Sequence, residues 1–124
     1  MSFLVVQAYW KLISFESCLK QHNFAALYKT VHHYPVSRRP TTRETVTRVC
    51  SAVDTACIWY WKRTLCLQRS ATITCLLRQH GIEAQLVIAS QYIPFQAHAW
   101  VEVDGKVVND KPGVQKAFVV LERC

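Results

Sequence analysis

Between Leu67 and His80 the chain sets apolar residues nearly all round a helical turn, at Leu67, Ala71, Ile73, Cys75, Leu76 and Leu77, and then reaches Gly81. Glycine suits the left-handed residue just past a helix C-terminus. A helix that is apolar on every side has to be enclosed by other elements rather than laid on a surface. With 124 residues in all, one such helix and one core around it is what the chain can build, so residues 1–124 are expected to form a single domain.

The flanking segments differ in period. Before the apolar helix, Leu4, Ala8, Leu12, Phe15 and Leu19 recur at helical spacing, and Phe24, Leu27, Tyr28 and Val31 form a second, shorter set. A basic loop holding Pro35 and Pro40 follows, then Thr41 with Glu44 three residues on, which reads as a capping box for a third helix marked by Val46, Val49, Val53, Ala56 and Tyr60. After Gly81 the pattern predicts strands over 84–89, 97–103, 106–108 and 117–121, with Asp104-Gly105 as a hairpin turn. Helices first and an antiparallel sheet afterwards make an α+β fold. Its helical N-terminal region spans 1–45 and its core 46–124, with the Cys66 helix packed on the sheet.

Composition narrows the class. Hydrophobic residues make up 51% and charged residues 19%, which excludes a disordered chain. No apolar run is long enough to span a bilayer, and Met1–Val6 lacks the basic start of a signal peptide, so a cytoplasmic protein with no membrane partner is expected. In that compartment the six cysteines are expected to be free thiols, most of them small buried hydrophobes. No C-x-x-C pair occurs, so no metal site is expected. The net charge of +7 is concentrated in the front half, where residues 1–65 carry nine basic side chains against three acidic ones. Such a bias suits an acidic partner or a solvated basic surface.

Cys66 stands apart among the thiols because it sits where a loop meets the start of the apolar helix. There the helix dipole and unbonded N–H groups favour a thiolate, and the same N–H groups can donate to an oxyanion formed beside the sulfur. Cys75 lies mid-helix, and Cys124 is expected at a frayed end. His98 falls in the predicted strand Ala97–Val103, and Asp110 just after the next. A two-residue Asp104-Gly105 loop would turn Asp110 away from His98. A three-residue Val103-Asp104-Gly105 loop with a G1 bulge would set the two opposite each other, with Asn109 pointing to the other face. A Cys66, His98, Asp110 site therefore requires that bulge, and requires the His98 face of the sheet to pack against the start of the Cys66 helix. In such a site Cys66 attacks a carbonyl, His98 shuttles the proton and Asp110 orients the imidazole.

Three separated motifs carry a family resemblance: Cys66-Leu67-Gln68-Arg69-Ser70; Leu76-Leu77-Arg78 with Gly81-Ile82-Glu83-Ala84; and Ala97-His98-Ala99-Trp100-Val101-Glu102-Val103-Asp104-Gly105 with Asp110. Over about residues 46–110 the chain resembles the transglutaminase-like leader peptidases of lasso-peptide biosynthesis. The resemblance implies a transglutaminase-like, papain-like fold and removal of the leader from a ribosomally made precursor, with no cofactor for that step. It implies Cys66 as nucleophile, His98 as base and Asp110 as orienting acid. Arg69 and Trp100 also match, as candidate substrate contacts; Arg69 could instead tie the helix start to a neighbour, and Trp100 could pack beside the site. The short chain looks like the stand-alone protease of a split system, working with a leader-binding recognition protein and handing its product to a macrolactam synthetase.

Two other classes stay open. An acyl transferase would use the same three residues. A basic, non-catalytic adaptor would bind acidic peptide or nucleic acid through aromatics interleaved with basic residues. The aromatics are expected to follow core periodicity, which ranks the adaptor, and nucleic acid with it, lower. The basic front half, with Arg38, Arg39, Arg43 and Arg48, is then expected to dock an acidic leader or its carrier.

Overall fold

The structure is a computed structural model that describes residues 3–21, 23–38, 43–61, 63–92, 95–110 and 113–124. Four helices come first: α1 (Phe3–Lys20), α2 (Phe24–His32), α3 (Arg43–Trp59) and α4 (Cys66–Gln79). Strands β1 (Ala84–Tyr92), β2 (Phe95–Val103) and β3 (Lys106–Val107) follow, then a helical turn α5 (Val114–Ala117) and β4 (Val119–Arg123). The strands form one antiparallel sheet in the order β3-β2-β1-β4.

The apolar helix is enclosed as its composition demands: every residue from Ser70 to Arg78 is buried. On one side Ile73, Leu76 and Leu77 pack with Val5, Ala8 and Leu12 of α1 and with Val49 and Val53 of α3. On another, Ala71 and Cys75 meet Leu27 and Val31 of α2 together with Leu86 and Ala99 of the sheet. Gly81 closes the helix at φ 87°, the conformation its position predicts. Buried hydroxyls inside α4 are satisfied locally, Thr72 and Thr74 each donating to the carbonyl four residues back.

The guanidinium of Arg78, near the end of α4, holds the far end of the fold. It donates to the carbonyls of Val31, Ala84 (3.0 Å), Tyr34 (3.4 Å) and Cys124 (2.8 Å), so one buried side chain ties α2, β1 and the end of β4 to the central helix. Backbone groups of Leu86 and Cys124 exchange two 2.9 Å bonds, so Cys124 is paired and buried rather than frayed.

Three other expectations are corrected. The segment predicted as a strand over 117–121 starts as the turn α5, and β4 runs from Val119 to Arg123. Phe24 is exposed, although its spacing matches the buried Leu27 and Val31. Periodicity also misplaces the aromatics: Trp10, Trp59 and Trp61 are each about two-thirds exposed, and only Trp100 among the tryptophans is buried. Thr41 and its proposed capping box lie outside the described residues. No helix among the described residues is long and apolar enough to cross a membrane.

Candidate active site

Cys66 is the first residue of α4 and is exposed. Leu65 stands at the N-cap in an extended conformation (φ −83°, ψ 151°) and makes no side-chain cap bond, so the opening turn of α4 has no capping side chain competing for its N–H groups. Gln68 instead braces the turn from inside: its Oε1 accepts from the Leu65 N–H (3.3 Å), and its Nε2 donates to the Leu12 carbonyl (2.6 Å). A cleft of about 240 Å³ opens beside this end of the helix, walled by Leu19, Lys20, Arg63 and Leu65 among others. Its walls come mostly from α1 and from the loop before Cys66, where the sequence carried no motif, and Gln68 of α4 completes them.

The other thiols differ in environment. Burial pushes the Cys75 thiol up to about 11. Cys50 is also pushed up to about 11, by burial first and the nearby Asp54 charge second. Cys57 and Cys124 are raised too, again chiefly by burial. All four are held as thiols at neutral pH.

His98 and Asp110 are in direct contact, with Nε2 of the ring 2.5 Å from Oδ2 of the carboxylate. An imidazole bonded through Nε2 keeps its other nitrogen, Nδ1, for a second partner. The ring packs against both Phe118 (centroids 5.2 Å apart) and Trp100 (5.9 Å), which also touch each other at 6.2 Å. Trp100 is fully enclosed, and its Nε1–H donates to Glu102 Oε2 at 2.9 Å. Trp100 therefore buttresses the His98 ring and offers no exposed surface of its own.

This contact arises by a different route from the bulge expected from sequence. Val103 pairs with Lys106 and Glu102 with Val107, so the loop has two residues, Asp104 and Gly105, at φ 53° and 75°. Both central residues in the left-handed region make a type I′ turn, which matches the twist of the strands it joins. Continued along the strand, that register would turn Asp110 away from His98. The ladder stops at Val107 instead, and the bent segment 108–110 brings Asp110 back to the ring.

The facing of the sheet also differs from expectation. Side chains alternate along β2, and Ala99 and Val101 pack toward α4, while Trp100 lies in the cluster on the opposite face with Val87 and Ala89. His98 shares that outer face. What meets the start of α4 is the β2 backbone: Ser70 Oγ donates to the Ala99 carbonyl at 3.2 Å. Ser70 is one turn on from Cys66 and on the same side of the helix. The second turn of α4 is thus fastened to the residue next to His98.

Arg69 makes the tie to neighbouring elements that its position also allows. Its guanidinium binds Asp54 Oδ1 (2.8 and 3.0 Å) and reaches the Asn109 carbonyl at 3.5 Å, linking α3, α4 and the segment before Asp110. Among the described residues, no group of three His, Cys, Asp or Glu side chains is arranged to hold a metal ion.

Over 56 residues, 45% of this chain, the sequence is 39% identical to the microcin J25-processing protein McjB of Escherichia coli. The matched segment spans 27% of that relative's length. No solved structure matches significantly. A model of the transglutaminase-like superfamily matches residues 9–123. Because that match runs from α1 through the Cys66 helix and the His98 hairpin to β4, the chain belongs to the transglutaminase-like superfamily.

Proposed function

We propose that this chain is a cysteine peptidase that removes the leader from a ribosomally made lasso-peptide precursor, with Cys66, His98 and Asp110 as its catalytic residues. The observation that carries the proposal is the His98–Asp110 contact on a strand fastened, one turn from Cys66, to the start of α4. Kinship with the microcin J25-processing protein supports the substrate class.

In this reading each of the three groups has one role. The Cys66 thiol gives its proton to His98 Nδ1 as sulfur attacks the carbonyl at the leader–core junction, and the S–C bond forms as the carbonyl becomes an oxyanion. N–H groups of the first α4 turn stabilise that charge. The C–N bond then breaks, and the imidazolium returns its proton to the leaving amine of the core. Water, deprotonated by His98, hydrolyses the thioester and frees the leader as a carboxylic acid. Asp110 holds the ring by Nε2 and stabilises its positive charge. The liberated amine is the group a macrolactam synthetase needs for ring closure. A separate leader-binding protein presents the precursor, and the exposed Arg38, Arg43 and Arg48 attract its acidic leader in the cytoplasm. Arg39 lies outside the described residues.

The test is precursor cleavage, followed by mass, with wild type and Cys66→Ala. Leader loss should vanish in the variant while its thermal midpoint is retained; equal cleavage by both would refute the assignment. Superfamily membership also favours acyl transfer as a second reading. An added amine acceptor appearing on the leader's C-terminus in place of water would select transfer over hydrolysis.

A further inference from the structure

We propose that Asn109 and Ser70 are positioning residues that hold the His98–Asp110 pair in register with the Cys66 helix; this rests on the peptidase reading above. The observation behind it is how the chain leaves the sheet. In an antiparallel ladder continuing from the Asp104-Gly105 turn, Val101 and Val108 would exchange two backbone bonds. One is kept, from Val108 N–H to the Val101 carbonyl at 3.0 Å. The other is replaced: the Val101 N–H donates to Asn109 Oδ1 at 2.8 Å. The carbonyl of Val108, released from the strand, accepts from the Cys50 thiol at 3.8 Å. A side-chain amide has taken the place of the backbone, and this substitution accompanies the bend that brings Asp110 to His98.

The same amide reaches the helix. Asn109 Nδ2 donates to Ser70 Oγ at 3.0 Å, and the Ser70 hydroxyl donates onward to the Ala99 carbonyl at 3.2 Å. The hydroxyl thus accepts from the residue before Asp110 and donates to the residue after His98, one turn from Cys66. Ser70 is 1% exposed, so water has little access to replace either bond. Only a carboxamide of this length both accepts from Val101 and donates to Ser70. A carboxylate has no N–H, and a carboxylate at 109 would compete with Ala99 for the single hydroxyl proton.

The test uses the full chain with Asn109→Asp and Ser70→Ala, both close in volume to the originals. The pH profile of Cys66 alkylation is recorded for each beside wild type and His98→Ala, at a temperature well below every thermal midpoint, and precursor cleavage is measured in parallel. Alkylation slowed toward the His98→Ala profile is expected, with kcat reduced by about tenfold or more and KM within about twofold, the pattern of a misplaced rather than a missing group. Wild-type profiles and kcat in both variants would overturn the proposal while leaving the peptidase reading intact. Identical profiles for wild type and His98→Ala would instead overturn the peptidase reading, and the positioning role with it. A loss confined to temperatures near the variants' midpoints would mark a purely structural role and also overturn the proposal.

Discussion

His98 Nε2 lies 2.5 Å from Asp110 Oδ2, although the pairing of Glu102 with Val107 would turn the two side chains apart if the ladder continued. The contact depends on a strand that ends early, and its consequence is directional: with Nε2 bound to the carboxylate, Nδ1 is the nitrogen available to a thiol. Removing the carboxylate as Asp110→Ala should lower kcat by about 10²–10⁴-fold with little change in KM, the usual range for a lost acid–base contribution. Steady-state cleavage kinetics would show it, and a kcat within a few-fold of wild type would remove Asp110 from the mechanism.

Thiol environment predicts the order of alkylation. Cys50 and Cys75, raised to about 11 chiefly by burial, carry about one thiolate in 10⁴ at pH 7. Cys66 is exposed at a helix N-terminus. Limited iodoacetamide treatment at neutral pH, mapped by peptide mass, should therefore label Cys66 well before Cys50, Cys57, Cys75 or Cys124, and unfolding should erase the difference. Early labelling of Cys75 in the folded chain would contradict the environments described here.

Glu102 predicts acid sensitivity. Burial alone would raise its carboxyl, but hydrogen bonds from Trp100 and Gln115 and the charge of Arg123 outweigh burial and hold it below the usual carboxylate range. With the folded value below the unfolded one, its stabilisation is fully present above the unfolded value, about 4.3, and is lost as pH falls through the folded value. Glu102→Gln should lower the thermal midpoint by a few degrees at pH 7, with the gap closing toward pH 3. A constant gap across that range would show that packing, not ionisation, is the cause.

Arg78 predicts a stability defect remote from the chemistry. It lies 12 positions beyond Cys66 on the same helix, about 18 Å along the axis. Replacing it by Met leaves the carbonyls it binds without their donor and should cost about 3 kcal/mol. Urea unfolding with an unchanged m-value would measure the loss. Under conditions where the variant is folded, Cys66 alkylation should match wild type.

Much of this was legible in the residues. The all-round apolar face from Leu67 to Leu77 required an enclosed helix, and helical spacing located α1, α2 and α3, because burial imposes a period that the sequence must carry. Cys66, His98 and Asp110 were also identifiable as candidates. The turn was misread because Asp104-Gly105 satisfies a two-residue and a three-residue loop alike, and the choice depends on strand twist. The role of Asn109 was hidden for a related reason, since a side chain replacing a ladder bond leaves no period. Trp10 and Trp59 lie on the outer sides of α1 and α3 and Trp61 just past α3, so apolar character alone could not tell an outward-facing ring from a buried one. Arg78 read as part of a motif, while its use as a four-carbonyl anchor depends on chain ends that meet only in the folded state.

The most direct test of the account is the covalent intermediate. A lasso precursor, mixed with the chain alone and with its leader-binding protein, is acid-quenched at short times and weighed intact. The account predicts an adduct equal to the leader less water, mapped to Cys66 and absent in Cys66→Ala, that decays as free leader and core appear. Leader removal by Cys66→Ala at the wild-type rate, or a precursor left whole by the wild-type chain in both mixtures, would contradict it.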